Sequence, residues 1–326
     1  MKSIAVLSAY FGKLPGYFPL WLKTCKYNPD IDFIIFTDDE TSFDFPENVK
    51  RVHLTLKEMK KRAEDALGFE VSLERPYKCC DFKPTYGEIF LEYIREYSYF
   101  GYCDLDMMFG DITGFLKKYE YEKYDRFLVL GHLALYRNTE YIRNSFKLDS
   151  SLGEYYRKVF TTDRNYGFDE ISGMYRICRE NEVSMFDGRI FADISNVYKR
   201  FRFPEKRHTP LNPDIVTYRN EVYTWEKGKV FRYYEDSDRK IKREEYIYIH
   251  YQKRPDFEYF FNPADTDSFY ITNSGFYKKD EEVTLDDIKK YNRYPGKLVE
   301  DCETLKRFIK QKKRYLKEHI DNILGK

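Results

Sequence analysis

Apolar runs that end abruptly in polar or glycine-rich residues organise the first hundred positions of the chain. "SIAVLSAYFG" predicts a buried strand followed by a loop broken by Gly12, Pro15 and Gly16. "FPLWLKTCKYN" predicts a short helix, and "DFIIFTDDE" a second buried strand that closes in Thr37, Asp38 and Asp39. Strand, helix and strand within about 35 residues predict a βαβ unit on a parallel sheet. Ligands of such sheets gather beyond the carboxyl ends of the strands. Ala9, Tyr10 and Gly12, with Thr37, Asp38 and Asp39, therefore fall along one candidate binding edge.

Further along, "LKEMKKRAEDALG" predicts a charged helix, and no clear strand is expected between residues 46 and 82. "KPTYGEIFLEYIREY" predicts the clearest helix of the chain. Pro84 suits a first turn, and Tyr86, Ile89, Phe90, Tyr93, Ile94 and Tyr97 recur on one face. "YFGYC" then predicts a strand that delivers Asp104 and Asp106 at its end. "FLVLGHLALYRN" reads as one strand, and "YGFDEISGMYRICREN" as a loop, an acidic pair and a helix from about Ile171. "VYTWEKGKVFRYY" predicts a hairpin around Gly228. "EYIYIHYQKR" alternates, which puts Tyr246, Tyr248, His250 and Gln252 on one face of a strand. The last segment predicts an amphipathic helix over 303–324, striped by Leu305, Phe308, Ile309, Leu316, Ile320, Ile323 and Leu324.

Hydrophobic residues make up 42% and charged residues 34% of the 326 residues, which is the balance of a globular protein of one large domain or two modest ones. A net charge of +1, with no basic stripe outside the tail, gives no basis for nucleic-acid binding. The 32 tyrosines and 27 phenylalanines fit core packing, and tyrosine also suits sugar-binding clefts. The six cysteines show no CxxC pairing and no secreted-framework spacing. The opening apolar run breaks at Gly12 and Lys13, and nothing approaches the ~18 apolar residues of a membrane span. Reduced thiols and a cytoplasmic location are expected.

The chemistry centres on "FGYCDLDMMFGD". Two carboxylates at a strand end, with Leu105 between them, can reach one hard divalent ion such as Mn²⁺ or Mg²⁺, leaving other positions for phosphate and water. The bland alternative is a turn cap at Asp104 and an ion pair at Asp106. Asp38 and Asp39 compete as a metal site, although contacts to a base or ribose are more natural after the second strand. His250 is a candidate third ligand. Lys253, Arg254 and Lys83 are candidates to neutralise a diphosphate, and Asp81 to meet a sugar hydroxyl. Asp169 and Glu170 are either helix caps or the general base for an attacking hydroxyl.

The order of "SAYFG", "IIFTDD", "CDFKPTYGEIF", "GYCDLDMMFGDI", "GHLALYRN", "FDEISGM" and "IHYQKR" resembles bacterial glycosyltransferases of the GT-A fold found in capsule and cell-wall polysaccharide clusters. The likeness spans about residues 1–260 and is most specific in "DFKPTYGEIF…GYCDLDMMFGDI". It implies an α/β, Rossmann-type mixed sheet flanked by helices, to which the amphipathic helical tail is appended. It also implies a nucleotide-sugar donor (UDP-sugar in first place), a divalent metal at Asp104 and Asp106, and Asp81 and Lys83 beside the donor. Asp169–Glu170 corresponds to the acidic motif that supplies the base in inverting relatives, whereas a histidine ligand like His250 is familiar from retaining ones. Inversion is slightly favoured.

The expected division is a nucleotide-sugar half over 1–130, an acceptor half over 131–270 and a helical tail over 271–326. The expected acceptor is a surface glycan or lipid-linked oligosaccharide. The tail carries eight Lys/Arg against four Asp/Glu from Asp301 to Lys326, and either lies on an anionic membrane surface or docks on the domain. Two other functions stay open: a sugar-nucleotidyltransferase, which needs a glycine-rich basic loop after the first strand, and a non-catalytic carbohydrate-binding protein.

Overall fold

A computed structural model describes residues 3–204, 218–254 and 256–323. Strands β1 (Ile4–Ala9) and β2 (Ile31–Thr37) run parallel, joined by the Phe18–Lys26 helix, as the βαβ pattern predicts. Ala5, Leu7, Ile34 and Phe36 face one core, and Ile4, Val6, Phe33 and Ile35 face the other. Strands covered on both faces lose polar alternation, which is why both read as unbroken apolar runs. Strand β3 (Val49–His53) extends the sheet beyond β2. It was not expected, because its exposed Lys50, Arg51 and His53 disguise it. Charged side chains are a common way of protecting a sheet edge.

On the other side of β1 lies β4 (Tyr99–Cys103), also parallel to it. Then come β5 (Met107–Phe109), β6 (Arg126–Phe127), β7 (Leu133–Arg137), β8 (Met185–Phe186) and β9 (Ala192–Asp193). The later strands are β10 (Glu221–Glu226), β11 (Lys229–Glu235), β12 (Ile241–Tyr246), β13 (Tyr248–His250), β14 (Ser268–Thr272) and β15 (Gly275–Lys278). The main sheet has the order β3-β2-β1-β4-β7-β6-β8, with β7 antiparallel to β4. A five-stranded antiparallel sheet, β12-β11-β10-β14-β15, and a small sheet, β5-β13-β9, complete the architecture. The α/β class, the mixed sheet flanked by helices and the C-terminal helix (Lys297–Ile323) are all as expected.

The hairpin at Gly228 forms between β10 and β11. The charged helix spans Leu56–Leu67, with a Thr55–Glu58 capping box and Gly68 in the left-handed conformation at its end.

Three local expectations need correction. The long helix from Lys83 is instead a series of short pieces, including Lys83–Thr85, Tyr86–Ile89 and Leu91–Ile94. It breaks at Phe90 (φ −119°, ψ 28°), whose ring stacks on Phe36 at 3.7 Å. Packing of that ring on the sheet outweighs continuation of the helix, while Tyr86, Ile89, Phe90 and Ile94 keep their buried face.

"FLVLGHLALYRN" forms two antiparallel strands, β6 and β7, joined by a loop over 128–132. The run is apolar because the loop itself is buried, not because it is one strand. The helix expected from about Ile171 does begin there, as a π-helical turn, Ile171–Tyr175, that runs directly into the α-helix Arg176–Glu180. Lastly, Tyr246 and Tyr248 do not share a face. The chain changes sheets at Ile247, whose N–H donates to Ile190 O and whose carbonyl accepts from Gly110 N–H. Tyr246 consequently packs on one core and Tyr248 on another. A Cβ on Gly110 would lie 2.6 Å from Tyr246 O, so this crossing requires glycine.

All six cysteines are free thiols. Among the described residues no helix is long and apolar enough to cross a membrane.

Candidate functional site

The carboxyl ends of β1, β2 and β4 lie side by side in the sheet. Ser8 Oγ donates to Cys103 O at 2.6 Å, tying β1 to β4 one residue before Asp104. Leu105 is buried in the core and anchors the turn, so the flanking Asp104 and Asp106 keep about a quarter of their side chains exposed, at 28% and 25%. Each acid joins a separate polar network.

Asp104 Oδ1 lies 2.7 Å from Lys83 Nζ, which also donates to Gly131 O at 2.7 Å and reaches Asp169 Oδ2 at 3.2 Å. The three ammonium protons of Lys83 thus meet three acceptors. Gly131 belongs here for a steric reason, since a Cβ would lie 2.3 Å from Asp169 Oδ2. Burial raises the Asp104 pKa, and repulsion from Asp106 adds to this, against the pull of Lys83. Asp169 is pushed up to about 7, chiefly by burial and then by Glu170 and Asp104, with Lys83 opposing. Lys83 stays protonated, because the charges of Asp104 and Asp169 outweigh its burial.

Asp106 belongs to the second network. Its Oδ2 accepts the Lys253 N–H at 2.9 Å, and its Oδ1 lies 3.4 Å from His250 Nε2. Lys253 has φ 56°, in the left-handed region that is uncommon for a lysine. The other ring nitrogen of His250, Nδ1, lies 3.0 Å from Asp193 Oδ1. Burial alone would lower the His250 pKa, but Asp106 and then Asp193 push it up to about 10. Burial would raise Asp106, yet His250 and the Lys253 N–H bring it down to about 2.

Asp104, Asp106 and His250 offer ligand atoms that all lie within 4.8 Å of one another. Ligands about 2.1 Å from a six-coordinate ion stand roughly 3–4 Å apart, so a set of two oxygens and one nitrogen within 4.8 Å would hold Mn²⁺ or Mg²⁺ after drawing together. Binding at Nε2 must displace a proton from His250. A second, fully buried triplet, His132, Asp193 and His250, meets the same distance limit.

Other candidate residues lie in different surroundings. Asp38 Oδ1 accepts the Gly12 N–H at 2.7 Å, and Asp39 accepts from Leu14 N and Thr41 N at 2.7 and 2.8 Å. These two acids therefore brace the loop after β1. Thr37 is buried, and its hydroxyl accepts the Asp39 N–H. Ala9 and Tyr10 are half-buried, and the Tyr10 hydroxyl is raised by burial and by the charges of Asp106 and Asp39.

Two candidates are turned inward rather than toward a ligand. Asp81 is fully buried, paired with Lys78 at 2.9 Å, and accepts from Tyr166 N and Phe168 N, so it holds the loop that leads to Asp169. Arg254 is buried against the carbonyls of Tyr251, Gln252, Ser195 and Tyr198. Glu170 is exposed and stands beside the Lys83 network instead, where a Cβ on Gly131 would lie 3.2 Å from its Cγ. Neither Asp169 nor Glu170 caps a helix with its side chain; the wide turn after Glu170 carries no such bond. Sequence reasoning missed His132, Asp193 and Gly131 as site residues: Gly131 and His132 open the "GHLALYRN" run without standing out in it, and no motif marks Asp193.

A family of unknown function (DUF6625) matches residues 6–280. The chain belongs to that family. Its description assigns no activity, and no curated protein matches the chain. Among solved structures, a galactosyltransferase, LgtC, in complex with donor and acceptor sugar analogues, is similar at a TM-score of 0.34 and 13% identity. The match covers 59% of this chain and 75% of that one. At that distance the likeness carries no weight for fold or chemistry.

Proposed function

We propose that this DUF6625 protein is a metal-dependent glycosyltransferase. It moves a hexose from a nucleoside-diphosphate sugar, UDP-sugar in first place, to a bacterial surface-glycan or lipid-linked acceptor. The observation that carries this reading is the convergence of Asp104, Asp106 and His250 at the carboxyl end of β4, beside the ends of β1 and β2. Mn²⁺ or Mg²⁺ held there supplies positive charge to the departing diphosphate. Lys83 fixes Asp104 rather than meeting phosphate, since its protons already have three acceptors.

Residues 1–130 serve the donor and 131–270 the acceptor. Glu170, exposed beside Gly131, is the acid an acceptor hydroxyl can reach, whereas Asp169 is held by Lys83. In the inverting course Glu170 is the base; a product that retains the donor's anomeric configuration returns it to acceptor binding. A sugar-nucleotidyltransferase is disfavoured, because the Gly12 and Leu14 N–H groups that would cradle phosphate are taken by Asp38 and Asp39. A pure sugar-binding role gives no reason for a metal-ligand constellation.

Thermal unfolding with a panel of nucleoside diphosphates, with and without Mn²⁺, tests this reading. The matching nucleotide at about 100 times its Kd stabilises by ~2.7 kcal/mol. Equal stabilisation in EDTA, or none with any nucleotide, refutes it.

The tail is the peripheral membrane contact in this proposal. Near its start, Glu300 is held by Arg200 and Arg202 at 3.0 Å each, and Arg307 donates to Tyr198 O. Leu305, Phe308, Ile309 and Leu316 nonetheless stay exposed, among exposed Lys306, Lys310, Lys312, Lys313 and Lys317. Leu324 lies outside the described residues, as do the side chains of Ile320 and Ile323. A basic helix with an uncovered apolar stripe suits an anionic lipid surface. Removing residues 303–326 is expected to abolish most sedimentation with phosphatidylglycerol vesicles and to leave donor hydrolysis intact. Unfolding of the shortened protein would show that the stripe packs on the domain instead.

A further inference from the structure

His250 is gripped on more sides than a ligand side chain requires. β9 runs beside β13, with Asp193 in register with His250, and Asp193 is only 1% exposed. Asp193 Oδ1 lies 3.0 Å from His250 Nδ1 and also accepts from Gln252 Nε2 at 3.0 Å. Gln252 in turn donates to Ile194 O at 2.9 Å, so the carboxylate is aimed from two directions. One face of the His250 ring is covered by His132, stacked at 4.3 Å and 24°, and His132 Nδ1 lies 2.8 Å from the Tyr248 hydroxyl. The ring therefore cannot turn without breaking the Asp193 contact or the stack. An imidazole that donates Nδ1–H to a carboxylate presents its lone pair at Nε2, and that nitrogen faces Asp106.

We propose that Asp193 is a positioning residue that fixes the ring angle and tautomer of His250, so that Nε2 joins Asp104 and Asp106 as the nitrogen ligand of a divalent cation. A nitrogen donor in an otherwise oxygen set favours Mn²⁺ over Mg²⁺, because Mg²⁺ gains less from imidazole. The inner triplet is not the seat: Asp193 Oδ1 already receives Gln252 N–H and faces His250 Nδ1. This inference rests on the metal reading of Asp104 and Asp106.

The test is Mn²⁺ titration of the full chain, read by electron paramagnetic resonance of the free aquo ion. The bound ion is then examined for modulation from a directly coordinated ¹⁴N. Wild type is expected to bind Mn²⁺ with ¹⁴N coupling. Asp193→Ala, checked for fold by circular dichroism, should bind about 10–100-fold more weakly and lose the coupling. Asp193→Asn keeps an oxygen that accepts the Nδ1–H, so the coupling should return while affinity stays about tenfold below wild type. A folded Asp193→Ala protein with wild-type affinity and coupling overturns the role of Asp193. Should that variant not fold, wild-type affinity in Asp193→Asn overturns it alone. Absence of Mn²⁺ binding in wild type, or binding unchanged by Asp106→Ala, removes the metal reading itself and is told apart by that control.

Discussion

Asp106→Ala is expected to lower sugar transfer at least about 10³-fold at saturating Mn²⁺ and to leave the protein folded. The rate effect follows from the charge a metal supplies to a leaving diphosphate, several kcal/mol, at 1.36 kcal/mol for each factor of ten. The fold should survive because the side chain reaches solvent and its shortest hydrogen bond is to one backbone N–H, of Lys253. Water can replace that acceptor at a cost of about 1 kcal/mol. His250 also loses the carboxylate that does most to hold its proton, so its pKa should fall from about 10. Transfer assays with Mn²⁺ and with EDTA, alongside a melting curve, check the prediction. Transfer that persists in EDTA would sink the metal role.

Lys83→Met carries the largest expected cost in stability. Methionine fills a similar volume but leaves the buried Asp169 carboxylate, and Asp104 beside it, without their cation. Breaking a buried pair from one side typically costs about 3–5 kcal/mol. Gly131 O loses a donor as well. The sign of the pH dependence follows from Asp169. Its folded pKa, already about 7 with Lys83 in place, lies above the ~3.9 of an unfolded aspartate and rises further once Lys83 is gone. The folded state therefore binds more protons than the unfolded one between those values, and stability increases as pH falls through that window. Urea unfolding should show a larger deficit near pH 8 than near pH 5. Lys83→Met/Asp169→Asn should recover part of the loss at pH 8, since no buried carboxylate then remains at 169. A pH-independent deficit would show that the packing of the lysine stem, not its charge, is what the site needs.

The sequence by itself determined the βαβ start, the β10–β11 hairpin, the Leu56–Leu67 helix and the arrival of two acids at the end of β4. These are local matters: burial on both faces writes an apolar run, a capping box writes Thr and Glu three apart, and a turn writes glycine. What went unread depends on partners far along the chain. The helix after Lys83 breaks because Phe90 must stack on Phe36 of β2. The strand through residues 241–250 splits because Ile247 exchanges hydrogen bonds with Gly110 and Ile190. Asp81 and Arg254 carry the right charge for a ligand, but charge says nothing about direction, and tertiary packing turned both inward. The candidate site was decided in the same way. Asp106 meets the turn at Lys253 across 147 positions, and Asp193 meets His250 across 57. No window of sequence records such contacts, because an isolated carboxylate and an isolated imidazole are chemically mute until the fold sets them 3 Å apart.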